Sequence, residues 1–221
     1  MTSCIRKNAS APSADPDLIS ALKQIPVALL SDQLQRNRGS TGLRPYHQPA
    51  PLAGTAVTVR TRAGDNLAIL RAFDICRPGD VLVIDADGDI ANALVGGIMT
   101  FYAASIGVAG MVIDGAIRDV AEIRERPFPV YARGVNHRGP YKDGPGAINV
   151  PVSAGGMAVC PGDLVVGDQD GLIVLSREEA PAVIEKALLQ KQKEEATMQA
   201  IREGRWDRSF VDSLEARSIN V

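Results

Sequence analysis

The sequence predicts an α/β fold, a mixed sheet flanked by helices, and three observations carry that reading. Strand-like runs alternate with stretches of helical spacing through the first half of the chain, as in a parallel α/β arrangement. From Pro129 the pattern changes to short β segments parted by Gly-rich turns, which makes the sheet mixed. Helical patterns also stand at both ends, a pair near the start and one long segment after Leu175.

Taken in order, the opening "MTSCIRKNASAPSADPD" is polar and rich in Pro, Ser and Ala, and suggests no element. In "PDLISALKQIPVALLSDQLQRN", Leu18, Leu22 and Ile25, then Leu29, Leu30 and Leu34, recur at helical spacing, with Pro26 opening the second piece. Two helices are therefore expected within about residues 15–37. "PLAGTAVTVRT" alternates Ala56, Thr58 and Arg60 with Val57 and Val59 and reads as a strand; "GDNLAILRAFDI" reads as a short amphipathic helix ended by Pro78-Gly79. The strand "DVLVIDADGD" follows. "ALVGGIMTFYAASIG" then reads as a Gly-broken loop feeding an apolar helix, and "VAGMVI" as a strand that stops at an Asp114-Gly115 turn, with another helix from about Ala116. Beyond it come "PVYARGV", "NVPVSAGGMAV" and "DLVVGDQDGLIVL" as β segments.

"PGDVLVIDADG" from Pro78 is echoed by "PGDLVVGDQDG" from Pro161. Both read as turn, strand, turn: Pro fixes φ, Gly supplies positive φ, and Asp with Gly makes the exit. A calcium loop starting at Asp85 would need Gly and Glu where Ile90 and Gly96 stand, and is excluded. Ser176 with Glu179 forms a capping box before a helix expected over about residues 177–203. Its apolar stripe is too thin to pack along its whole length, so part of it is expected against a neighbouring subunit, a solvent-exposed tail being the alternative.

With 221 residues, 45% of them hydrophobic, the chain can bury one sizeable core, expected over about 54–175 in one domain that carries both helical extensions. Lys plus Arg number 24 against 26 Asp plus Glu, a net charge of -2, which leaves no electrostatic footprint for nucleic acid or an anionic membrane. No window reaches the roughly 18 apolar residues of a membrane span, and the start lacks a secretory pattern, so a cytoplasmic protein is expected. The three cysteines, Cys4, Cys76 and Cys160, are far apart and suggest reduced thiols rather than a disulfide framework or zinc site.

The chemistry concentrates in "GMVIDGAIRDVAEI", where an apolar run gives way to Arg118 and Asp119. On a helix, neighbours point about 100° apart, so the two side chains are expected not to face each other. Arg offers a rigid fork for a carboxylate, and Asp a hard oxygen for Mg²⁺ or a similar ion; together they could hold an α-keto acid, while a solvated helix face is the plain alternative. Gly96-Gly97 opens a helix whose unpaired amides favour an anion. Asp114 is read as the turn residue, with cleft lining as the alternative; His137 borders a site or decorates the surface; His47 has no nucleophile nearby to activate.

"ALVGGIMTFYAASIGVAGMVIDGAIRDVAEI", "PVYARGV" and "INVPVSAGGMAVCPGDLVVGDQDGLIVL" resemble, in ordered blocks, the RraA-like proteins, which include regulators of RNase E activity and class II 4-hydroxy-4-methyl-2-oxoglutarate aldolases. The resemblance implies a swivelling β/β/α type of fold, a homotrimer or dimer of trimers, and an active site between subunits. It implies that Gly96, Gly97, Ile98 and Met99 form a loop whose amides receive a substrate carboxylate, that Arg118 contacts a small 2-oxo acid, and that Asp119 binds a divalent metal, Mg²⁺ or Mn²⁺. The implied reaction cleaves a carbon–carbon bond and leaves a pyruvate enolate, from the aldol substrate or from oxaloacetate. Such an enolate needs a lysine Schiff base or a Lewis-acidic metal. Of the six lysines only Lys142 is central, and none has the apolar setting that lowers a lysine pKa, so metal is expected. Aldolases of this family often carry an acidic residue where this chain has Gly97; Glu194 or Glu195 could reach a neighbour's cleft as an acidic residue. A non-catalytic regulator is the alternative, and the helical extensions point to the aldolase branch. Methyl transfer lacks its Gly-rich cofactor loop.

Overall fold

The computed structural model describes residues 4–212 and Glu215. In chain order the elements are β1 (Ile5–Lys7), α1 (Pro16–Lys23), α2 (Val27–Asp32), β2 (Arg44–Pro45), β3 (Leu52–Thr61), α3 (Leu67–Ala72), β4 (Asp80–Asp85), β5 (Ala93–Val95), α4 (Gly97–Ser105), β6 (Gly110–Ile117), α5 (Val120–Arg124), β7 (Val130–Val135), β8 (Gly146–Ile148), β9 (Val152–Ala154), β10 (Met157–Val159), β11 (Leu164–Gly167), β12 (Leu172–Leu175) and α6 (Ala180–Arg202). The main sheet runs β1-β8-β3-β4-β6-β7-β2, with β11 and β12 added beside β3 and β5 beside β6. β3, β4, β6 and β7 are parallel, whereas β8 and β11 run against β3, so the sheet is mixed as expected.

Period-two alternation sorts the core. On β4, Leu82 and Ile84 face α3, α4 and α5, while Val81 and Val83 face the β9–β10 hairpin. A third apolar cluster joins α1, α2 and the first turns of α6 to β11 and β12. The echoed segments repeat their geometry as well as their letters. Gly79 and Gly162 take φ of 87° and 93°; Asp80 accepts the Arg77 N–H and Asp163 the Cys160 N–H, both at 2.7 Å. Their strands β4 and β11 both pair with β3. Burial pushes the Asp80 and Asp163 carboxyls above the usual range.

The capping box forms: Ser176 N–H donates to Glu179 Oε1 at 2.8 Å and Glu179 N–H to Ser176 Oγ at 3.2 Å. As the thin stripe predicts, α6 buries only Ala180, Val183 and Ala187.

Three expectations need correction. β6 does not stop at Asp114-Gly115 but runs through to Ile117, because β5 and β7 pair with its last residues. The helix expected from Ala116 starts at Val120 and is one turn long. The polar opening also holds β1, whose pairing lies far along the chain in β8.

Candidate active site

β5 ends at Val95 and passes through Gly96 into α4; β6 ends at Ile117 and reaches α5 through Arg118 and Asp119. The two strands are parallel neighbours, and Arg118 N–H donates to Val95 O at 2.9 Å. That bond holds the start of α4 against the Arg-Asp pair. Between them lies a narrow cleft of about 290 Å³ including its open mouth, bordered by Gly96, Ile98, Met99, Arg118 and Asp119, with Asn66 and Pro140 on the remaining walls.

Asp119 takes φ 58° and ψ 36°, a left-handed conformation that costs a non-glycine residue energy and that Asp tolerates better than most. Its Oδ2 accepts the Gly97 N–H at 2.9 Å and its carbonyl the Ile123 N–H at 3.1 Å, so the strain is held by both neighbouring elements. Arg118 Nε stands 3.8 Å from the same Oδ2, with the two side chains 44% and 45% exposed. Such a pair is worth little in water, which leaves the guanidinium available to a ligand. The glycines are there for close approach: a Cβ on Gly96 would overlap the Asp119 carboxylate, and one on Gly97 the Glu122 carboxylate. Arg126 pairs with Glu122 and holds it there.

In α4 the first N–H to bond back is that of Thr100, to Gly96 O at 3.1 Å. The amides of Ile98 and Met99 precede it, at the positive end of the helix. The segment 138–144 brings Pro140 to the cleft. Ala93 N–H donates to Arg138 O at 2.8 Å and Tyr141 N–H to Gly64 O at 2.8 Å, and Asn92 Nδ2 donates to Gly139 O at 2.7 Å. Fully buried Asp65 fastens its far end, accepting Asp143 N–H at 2.7 Å and Gly144 N–H at 2.9 Å. Burial alone would raise the Asp65 carboxyl, but those amides, that of Leu67 and the Arg62 charge outweigh it and hold it below the usual range.

Against the sequence reading, Gly96 to Met99, Arg118 and Asp119 come together. Two details differ. The pair sits at a strand end rather than on a helix, so the side chains approach each other instead of diverging by about 100°. The Gly97 amide is spent on Asp119. Asp114 is neither a turn residue nor part of this cleft: buried in β6, it pairs with Arg133 and accepts the Gly155 N–H at 2.8 Å. It belongs to a row in which β3 Arg60 lies opposite Asp85 and Asp85 opposite Asp114, bordering a separate polar concavity with Arg133. His137 is exposed and outside the cleft lining. Glu194 and Glu195 are exposed on the outer half of α6, and Glu194 accepts Gln190 Nε2 at 3.1 Å. Lys142 is exposed, as the argument against a Schiff base requires. Sequence reasoning missed Asn66 and Glu122. Asn66 reads as an ordinary helix start, and the Glu122 approach to Gly97 follows from the tight turn at Asp119, which no spacing rule shows.

The chain matches the family model described as RraA-like: Aldolase/RraA over residues 27–174. A protein of Halalkalibacterium halodurans named "Putative 4-hydroxy-4-methyl-2-oxoglutarate aldolase" is 40% identical over 190 residues, 85% of this chain and 90% of that one. Among solved structures, Streptomyces coelicolor RraAS2, described as an unusual member of the RNase ES inhibitor RraA protein family, superposes with a TM-score of 0.78 at 29% identity, covering 85% of this chain and 98% of its own. The RNA-processing inhibitor RraA from Thermus thermophilis gives 0.62 at 31% identity, over 68% and 92%. RraAS2 and the Halalkalibacterium halodurans protein each match 85% of this chain.

Proposed function

The chain belongs to the RraA-like, Aldolase/RraA family, and from that premise we propose that it is a metal-dependent lyase cleaving a carbon–carbon bond of small 2-oxo acids through a pyruvate enolate. Its substrates in this reading are 4-hydroxy-4-methyl-2-oxoglutarate, oxaloacetate or both. The observation that carries it is the meeting, in one cleft, of the Arg118 guanidinium, the Asp119 carboxylate and the first-turn amides of α4.

Among the described residues no group of three or more His, Cys, Asp or Glu could surround an ion. The donor set nevertheless fits Mg²⁺ or Mn²⁺, which keep several waters and need few protein ligands. Asp119 would hold the cation with Oδ1, since Oδ2 is engaged by Gly97. When bound, the cation supplies Lewis-acid stabilisation of the enolate. Arg118 receives the oxo-acid head, its planar fork matching a carboxylate or the oxyanion that develops at C2. The Ile98 and Met99 amides donate to the carboxylate. In retro-aldol cleavage the C4 hydroxyl loses its proton and becomes a carbonyl, the C3–C4 electron pair passes to the enolate, and C3 regains a proton, giving pyruvate and a second carbonyl compound. In oxaloacetate the same pair is released by loss of carbon dioxide.

The working form in this reading is a cytoplasmic homotrimer or dimer of trimers with the cleft at a subunit interface and Glu194 or Glu195 of a neighbour entering it. Its support is the apolar surface left uncovered beside the cleft, where Ile98 is 85% and Phe101 61% exposed, and the uncovered outer half of α6. The test is pyruvate release with Mg²⁺ or Mn²⁺ from both substrates, abolished by chelator and by Arg118→Ala or Asp119→Ala. No metal-dependent turnover of any branched 2-oxo acid would favour the second reading, a non-catalytic regulator like the RNA-processing inhibitors among its structural relatives.

A further inference from the structure

We propose that His47 is an acid-sensitive latch: its neutral imidazole fastens the strap of residues 44–50 to β7 and to the segment behind α5, and its protonation releases that strap. The proposal stands apart from the lyase reading, because the residues it uses lie outside the cleft lining.

The strap begins as β2, with Arg44 opposite Ala132 and Pro45 opposite Tyr131 of β7. Beyond Pro45 the chain bends. Tyr46 N–H still reaches Val130 O at 2.9 Å, and Gln48 N–H reaches Arg126 O at 3.1 Å. The acceptor for the Val130 N–H is a side chain, His47 Nδ1, at 3.1 Å. That ring is 6% exposed and stands edge-on to Tyr131, with centroids 5.1 Å apart; its Nε2 is buried without a hydrogen-bond partner.

These contacts select the proton state. Nδ1 lies 3.1 Å from the Val130 nitrogen and 3.2 Å from the Val130 oxygen. A neutral ring with its hydrogen on Nε2 serves the first; the other tautomer leaves both the Val130 N–H and Nε2 unpaired. In the imidazolium Nδ1 can only donate, so it turns to the oxygen that Tyr46 already uses and leaves the Val130 N–H buried without an acceptor. Burial disfavours the charged ring more than the Val130 and Ala50 carbonyls favour it, which holds its pKa below the ordinary value. Once released into water the ring returns to about 6.5. Acid therefore favours the released strap, by about tenfold for each pH unit between that value and the lower latched one.

No charged neighbour cancels this. On β2, Arg44 is exposed. At the end of α5, Arg124 lies over the Tyr46 ring at 5.8 Å and Arg126 pairs with Glu122. Behind the Tyr131 hydroxyl, Asp168 has its carboxylate on the Val27 and Asp170 amides at 2.8 and 2.9 Å. None of them bonds the ring. Release loosens the segment 126–130 and, through the Arg126–Glu122 pair, the short α5 that follows Asp119.

The test reads imidazole titration by NMR, with only two histidines to assign, and amide hydrogen exchange at about pH 7.5 and about pH 5, corrected for the intrinsic exchange rate. The expected result is that His47 titrates below exposed His137 and that protection of the Val130 and Gln48 amides falls at least about fivefold at the lower pH. Protection of buried Val83 in β4 should change by less than about twofold. In His47→Asn, whose amide oxygen offers an acceptor near the place of Nδ1 but takes no proton in this range, the fall at Val130 should shrink below about twofold. Unchanged Val130 protection in the wild type overturns the proposal, as does a fall that Val83 shares equally, which would mean opening of the whole fold. The same fall in His47→Asn overturns it by assigning the pH dependence to another group. Should the variant not fold, the wild-type comparison of Val130 with Val83 decides by itself.

Discussion

Arg60 and Asp85, near the carboxyl ends of β3 and β4, and Asp114, midway along β6, form a charged row with Arg133 of β7; where β5 meets the end of β6, Arg118 and Asp119 form a second charged group. In the row the bonds are internal. Asp85 takes the Ser153 and Asp87 amides at 3.1 and 3.0 Å, Asp114 takes Gly155 and Arg133, and the β9–β10 hairpin is thereby docked. In the second group Asp119 spends one oxygen on a single amide, Arg118 meets it at 3.8 Å, and Asn66 Oδ1 is unspent. The concavity beside the row is the roomier of the two. In the reading proposed above, the second group is the binding site because it keeps polar capacity after folding, although its hollow is the smaller of the two.

Substitutions can break that contrast in order of expected effect. Asp119→Ala should lower pyruvate release at least about 10³-fold and cost about 1–2 kcal/mol in urea, since Ala tolerates the left-handed backbone less well and the Gly97 N–H loses its acceptor; unchanged turnover by the folded variant would place Asp119 with the structural row. Asp114→Ala should do the reverse, costing about 3 kcal/mol of stability in urea titrations because Arg133 and the Gly155 amide lose their partner, with activity falling only as far as the unfolded fraction dictates. Gly97→Asp, which installs the acid that aldolases of the family often carry, should cost about 1 kcal/mol or less, because the group it meets is the far end of the half-exposed Glu122 side chain, which can swing aside at the expense of its surface pair with Arg126. Adding Glu122→Ala should recover most of that loss, and simple additivity of the two changes would disprove the overlap.

The smallest effect concerns pH. The folded Asp65 carboxyl lies below its unfolded value, so its contribution is present above the unfolded pKa near 4 and is lost as pH falls through the lower folded value. Asp65→Asn should flatten the acid limb of the stability curve there; an unchanged limb would mean that another carboxylate sets it.

Much of the frame was legible because it depends on neighbours in sequence. The Ser176–Glu179 box, the two Pro-Gly-Asp entries and the alternation of β3 are local patterns, and each produces its element. Asp114-Gly115 misled because the signal for a turn is local, while the reason it stays in the strand lies in Arg133 and the hairpin at Gly155. β1 was invisible for a similar reason, since three residues become a strand only when β8 is beside them. In the site, Arg118, Asp119 and the glycines stood out by residue type. Asn66 did not, because what marks it is an atom left without a partner after Leu94 and Met99 have taken its other end.

The stapled segment 138–144 bears on traffic. Held by Gly64, Asp65, Asn92 and Ala93, this wall cannot lift without giving up several bonds at once. In the reading proposed above, a substrate would enter past exposed Ile98, and a partner seated on Ile98 would slow its exchange.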